Sequence, residues 1–167
     1  MQDVGTKFKM LFCIYAGLET ELLEKNVGAK GLEHVFTYVP PSELEYKVNF
    51  GMDMKQYKAA WDKKYTDGKV EFGFNAVAGY TTGLVIEKTL SVATSLDQLE
   101  LRRANFSLSG QLKTLDGTYA LDEMGGQIGE LTPLGQLELD EKDPEKLKFI
   151  SIYPHETATG KPVYPRP

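Results

Sequence analysis

The sequence predicts an α/β fold, and three observations carry that prediction. An apolar run near the start, "KMLFCIY", ends in a small-residue turn and opens onto leucines at helical spacing. A second apolar run, "HVFTYV", follows that helix directly, giving the strand, helix, strand order of a βαβ unit. Beyond Thr114 the apolar period changes from the helical one to two, the period of strands.

Each element has its own local reason. "KMLFCIY" is apolar without interruption, as in a strand covered on both faces. After "AGLET", Leu18, Leu22 and Leu23 stand among glutamates, which predicts a short amphipathic helix stopping at "NVG", with Gly28 as a left-handed cap. "HVFTYV" is a second strand closed by "PPS", parallel to the first through a right-handed crossover. "PPSELEYKVNFG" is a connector, because its prolines deny helix and central strand alike. Met54, Tyr57, Trp61 and Tyr65 then recur every three or four residues, and "TDGK" ends that helix; Trp61 on this stripe is expected to pack in a core.

The next helix, residues 74–93, has no charge before Glu87, which predicts burial on several sides, and Gly79 and Gly83 would admit a close neighbour. A third helix is expected from "SLDQ", with Ser95 and Gln98 as a capping box and Leu96, Leu99 and Phe106 on its faces. "GTYALDEMGGQIG", "LGQLELD" and "KLKFISIYP" are expected as short strands, separated by glycine turns and by "EKDPEK", whose Asp143-Pro144 pair signals a turn. The proline-rich tail "HETATGKPVYPRP" should run extended over a surface, and neither an internal repeat nor a low-complexity tract is visible.

At 167 residues the chain has the length of one ordinary domain. Its single cysteine, Cys13, lies in an apolar run and is expected as a small buried hydrophobe rather than a nucleophile or metal ligand. The net charge of −5 is spread along the chain and the basic residues form no patch, so no nucleic-acid partner is expected. The longest nearly uncharged run, residues 72–86, falls short of the roughly 20 residues a bilayer requires. "MQDVGTKFK" lacks an apolar signal core, so the chain as it stands would stay where it is made unless a leader or larger precursor precedes it.

Chemistry-bearing motifs are scarce. His34 and His155 have no metal-ligand partner at a recognisable spacing, and neither a GxSxG elbow, a P-loop nor a GxGxxG turn occurs. "LDGTYALDEMGG" lacks the alternation of a calcium loop, and nothing pairs two carboxylates in an apolar setting. The expectation is therefore no enzyme, no cofactor and no metal. A binding role fits better, because ligands of open α/β sheets lie where a strand gives way to a helix and backbone N–H groups are free. "YAGL" is such a place, although a plain βα turn explains the same residues.

The order "VGTKFKMLFCIYAG", a helix, "GLEHVFTYVPPS", the helix with Tyr57, Trp61 and Tyr65, "AGYTTGLVIEKTL", "SLDQLELRRANFS", "LDGTYALDEMGGQIG" and a final strand pair resembles the C-terminal half of the type I periplasmic solute-binding proteins. The likeness is to the branched-chain amino-acid-binding branch, in its broad sense, of ABC uptake systems, and it covers nearly all of this chain but about half of such a protein. It implies part of a two-lobed clamp, a parallel sheet with flanking helices, that binds a small solute in the periplasm and hands it to a membrane permease. Residues 1–42 and 129–167 would belong to the second lobe and 43–128 to the first, whose opening strands have no counterpart here. The rest of the fold would come from a missing N-terminal half or from a second copy in a dimer.

By position, the resemblance places the ligand loop at Tyr15, Ala16 and Gly17, an aromatic of the buried helix at Tyr80, and Phe74 and Asn75 facing the cleft. Amino-acid-binding members carry a carboxylate in the loop to pair with the ligand's ammonium group, and the matching position is Ala16. A buried ammonium without a partner is costly, so the resemblance points away from a free α-amino acid and towards an aromatic or carboxylate solute. The second reading is a ligand-sensing or interaction module of a receptor or regulator built on the same fold.

Overall fold

The structure is a computed structural model of the chain, in which residues 7–16, 20–67, 69–70, 72–129 and 132–167 are described, Tyr15, Glu21 and Ser42 by their backbone alone. The chain divides into two compact units, Met1–Pro40 with Thr132–Pro167 and Pro41–Leu131.

The first unit is built on a three-stranded sheet in the order β1 (Phe36–Tyr38), β4 (Leu134–Leu139), β5 (Leu147–Tyr153). Both pairs are antiparallel, with Phe36 opposite Gln136 and Gln136 opposite Ile150. The expected parallel βαβ unit survives as a single parallel bridge from Phe12 to Phe36, held by Cys13 N–H to Phe36 O and Phe36 N–H to Leu11 O, both 2.9 Å. The rest of the sheet is antiparallel, and for β4 and β5 the reason is a connection too short for a crossover. Asp140 N–H bonds Lys146 O at 2.9 Å across it, and Asp143 accepts Glu145 N–H at 3.2 Å, so the Asp-Pro signal does mark the turn.

"KMLFCIY" is not a strand covered on both faces. Leu11 and Cys13 pack against the core cluster of Ala16, Leu32, Val35 and Leu137, whereas Phe8, Met10, Phe12 and Ile14 are all 42–50% exposed. Bridge partners share a face of a sheet. Phe12, Phe36, Gln136 and Ile150 therefore lie on the side away from that cluster. Helix α1 (Thr20–Val27) ends as the sequence indicates, with Gly28 at φ 73 and its N–H on Glu24 O at 2.8 Å. A further single turn, α2 (Ala29–Leu32), follows and buries Ala29 and Leu32.

In the second unit, α3 (Met54–Lys64) starts on a full capping box between Asp53 and Gln56. α4 (Phe74–Val92) is long, but it is not buried on several sides: only Val77, Leu84 and Thr89 are, while Ile86, Leu90 and Val92 are 55%, 48% and 43% exposed. A Cβ built on Gly79 or Gly83 would meet nothing within 4 Å, so no element approaches there. The apolar circumference of α4 exceeds what its described neighbours in this unit cover. α5 (Gln98–Ser107) is capped by Asp97, which accepts from Leu99 and Glu100, and not by Ser95. Leu96 and Leu99 face solvent, at 78% and 66% exposure. The two-residue strands β2 (Lys113–Thr114) and β3 (Gly117–Thr118) close a tight hairpin, where the sequence pattern suggested a longer strand. Gly51, at φ 83, has no room for a side chain: a Cβ would lie 2.5 Å from Leu84 Cδ1 and 3.1 Å from the Tyr80 hydroxyl.

Candidate functional site

The residues placed in a ligand loop fall where the first segment of the first unit leaves the sheet. Ile14–Ala16 forms a turn of 3-10 helix, closed by Ala16 N–H on Cys13 O at 3.3 Å. The Thr37 hydroxyl ties this turn to β1 by donating to Ile14 O at 3.2 Å. Ala16 is fully buried among Leu32, Val35 and Leu137, so its methyl group belongs to the core and only its backbone is left for a solute. Its carbonyl already accepts from the Thr20 hydroxyl at 2.6 Å. Tyr15 is described by its backbone alone, and Gly17 lies outside the described residues.

The other three candidates are in the second unit, on α4. Phe74 and Asn75 occupy its first turn and are both exposed, behind the N-cap Gly73, which contributes no side-chain cap. Tyr80 is six residues beyond Phe74, which leaves the two about 120° apart round a helix of 3.6 residues per turn, so they do not share a face.

Tyr80 instead joins an aromatic cluster with α3. Its ring stacks on Tyr57 at 4.3 Å between centroids and 14° between planes, and its oxygen accepts Met52 N–H at 2.9 Å. Tyr57 donates its hydroxyl to Ala76 O at 3.1 Å and meets Phe72 and Trp61 at 5.6 and 6.1 Å. Burial raises the Tyr57 pKa above its ordinary value, with the neighbouring Tyr65 and Tyr80 adding to it. Trp61 packs in this cluster, against Phe72 and Tyr65, and its indole N–H reaches Val70 O at 3.3 Å, but it is only half-buried and α3 buries no residue fully, so the stripe packs at a surface rather than in a core. The spacing of Tyr57, Trp61 and Tyr65 was visible as a stripe; that Phe72 and Tyr80 complete it depends on how α3 and α4 cross, which no local pattern encodes.

The second unit also has an open groove of about 490 Å³ between α4, α5 and the 121–125 turn. Its walls are mostly apolar, with Ile86, Leu90, Phe106 and Met124 among them, and Arg102 lies over the Phe106 ring at 4.7 Å. Thr89 and Asn105 sit in its floor and hydrogen-bond each other at 3.0 Å, while Tyr119 donates to Asn105 at 2.6 Å. The sequence led us to expect the α4 part of this wall, with Ile86 and Leu90, to be buried, and the structure leaves that side of α4 exposed. Among the described residues no group of three His, Cys, Asp or Glu side chains is placed to hold a metal ion, and no helix is long and apolar enough to cross a membrane.

Neither a protein-family model nor a curated protein matches the sequence. Among solved structures, the chain is similar to the crystal structure of LivK, a leucine-binding protein from Thermotoga maritima, with a TM-score of 0.61 and 15% identity. The match covers 93% of this chain and 40% of LivK, so the chain spans less than half the length of that protein. At this identity the likeness is one of fold alone: a mixed α/β fold, matched in part.

Proposed function

We propose that this chain is a solute-binding component of ABC-type uptake, or part of one, which takes a small organic solute outside the cytoplasm and delivers it to a membrane permease. The observation that carries the proposal is the likeness of fold to a leucine-binding protein along 93% of the chain. The scarcity of catalytic motifs in the sequence supports a binding protein over an enzyme.

The solute need not be leucine. An α-amino acid brings an ammonium group that wants a carboxylate partner, and the matching position is Ala16, whose side chain lies in the core. An aromatic or carboxylate solute suits the residues that the resemblance points to, Tyr15, Ala16, Gly17, Phe74, Asn75 and Tyr80, better than an amino acid does. Phe74, 37% exposed, offers a ring face to an aromatic solute. The exposed rows Phe8, Met10, Phe12 and Ile14 on one unit and Ile86 and Leu90 on the other support a further polypeptide, the rest of such a fold or a second copy, as a cover. Light scattering tests the last point: a monomer that binds no hydrophobic dye would refute it. Calorimetric titration with leucine and with aromatic carboxylates tests the solute class.

A further inference from the structure

The C-terminal tail is fastened to the first unit at three places, each on a different element. Thr159 N–H bonds Ser151 O on β5 at 2.8 Å, and the Thr159 hydroxyl returns an acceptor to Ser151 N–H at 3.0 Å. Gln136 on β4, fully buried, accepts Val163 N–H at 2.7 Å and donates to Val163 O at 3.0 Å, so that its side-chain amide pairs with the tail as a neighbouring strand would. Its other amide hydrogen goes to His34 O, also at 3.0 Å. Finally Arg166 donates its backbone N–H to Lys9 O at 2.8 Å and its guanidinium to Gly31 O at 3.1 Å. The tail thus crosses the sheet face opposite the core cluster, from β5 over β4 to the first segment, and lies so close that a Cβ on Gly160 would be 2.5 Å from Ile150 Cγ2.

The first segment needs such a hold, because its backbone pairing with the sheet, among the described residues, is one parallel bridge, to which the Thr37 hydroxyl adds a single bond at Ile14 O. One bridge, one side-chain bond and the packing of Leu11 and Cys13, with four half-exposed apolar side chains beside them, make a short attachment, and weakly attached segments open before the fold does. We propose that Gln136 and Arg166 are positioning residues: through the tail they hold residues 7–16 on the sheet, and with them the turn at Tyr15 and Ala16. That this turn matters for a solute rests on the proposed function; that the tail holds it does not.

Hydrogen exchange on the intact chain, with no solute present, separates the two. The reporters are the Cys13 and Phe36 amides, which form the bridge to β1, with the Leu137 amide, bonded to Val35 O, as an internal control. Arg166→Pro removes both the N–H and the guanidinium, Arg166→Ala the guanidinium alone, and Arg166→Lys keeps a cationic donor. Val163→Pro removes the N–H that Gln136 accepts and leaves the sheet's own residues intact. The expected result is at least tenfold faster exchange at Cys13 and Phe36 in Arg166→Pro and Val163→Pro, a smaller rise in Arg166→Ala, partial rescue in Arg166→Lys, and Leu137 within twofold of the parent. Unchanged exchange at Cys13 and Phe36 overturns the proposal whether or not the tail is released. An equal rise at Leu137 also overturns it, since the tail would then stabilise the unit as a whole.

Discussion

Ala16 separates a residue that lines a site from one that fills a core, and Ala16→Asp reads out the difference. Were its side chain in a solvated cleft, a carboxylate there would be tolerated and would favour amino acids. In the structure it is fully buried with Leu32, Val35 and Leu137 and has no cationic neighbour in that cluster. Desolvation would push the new carboxyl's pKa well above the roughly 3.9 of an unfolded chain. The folded state then keeps a proton that the unfolded state has lost. Stability therefore falls as pH rises above about 4, by about 1.4 kcal/mol per pH unit, until the folded group ionises. From pH 4 to pH 6 that amounts to about 3 kcal/mol, on top of about 1–3 kcal/mol for forcing extra atoms into a packed core, which does not depend on pH. Urea denaturation followed by circular dichroism at pH 4, 5, 6 and 7 measures both terms, and Ala16→Asn isolates the second. An Ala16→Asp protein within 1 kcal/mol of the parent at pH 7, with no slope against pH, would refute the placement of Ala16 in the core.

Other expectations follow from single contacts. Tyr80→Phe deletes the acceptor of Met52 N–H and should cost about 1 kcal/mol in urea denaturation, while near-ultraviolet circular dichroism retains the stacking with Tyr57. Asp97→Ala should destabilise by about 1 kcal/mol and Ser95→Ala by much less, because Asp97 alone accepts from Leu99 and Glu100; equal effects would contradict the assigned cap. Burial raises the Asp116 pKa above its ordinary value, so its ionisation costs the folded state stability as pH rises through the carboxylate range. Asp116→Asn should therefore gain on the parent between pH 3 and pH 7 in thermal unfolding, and a gap that stays constant or narrows would argue against that burial.

Helix positions were the most legible part of the sequence, because period and caps are local. The α3 stripe, the end of α1 at Gly28 and the Asp143-Pro144 turn could all be read from neighbouring residues. Coverage was not legible. "KMLFCIY" and the uncharged start of α4 were read as buried on several sides because apolar content records what a segment is suited to meet. It does not record whether this chain supplies the neighbour, and here Phe12 and Ile86 are left 42% and 55% exposed. The helix cap was misplaced by two residues because Ser95 and Asp97 both suit an N-cap, and the backbone chose Asp97. At the candidate site, the sequence could align Ala16 with a ligand loop, but the direction of its side chain depends on how the turn at Ile14–Ala16 folds onto Val35 and Leu137. The pairing of Gln136 with Val163, across 27 positions of sequence, had no local signature at all.

The most direct test of a solute-binding role is calorimetric titration of the protein with leucine, benzoate and phenylacetate in parallel. Saturable heat with an aromatic carboxylate, and none with leucine, is the predicted result. Tight leucine binding without a response to either aromatic acid would contradict the account of the solute, and silence with all three would contradict the binding role itself.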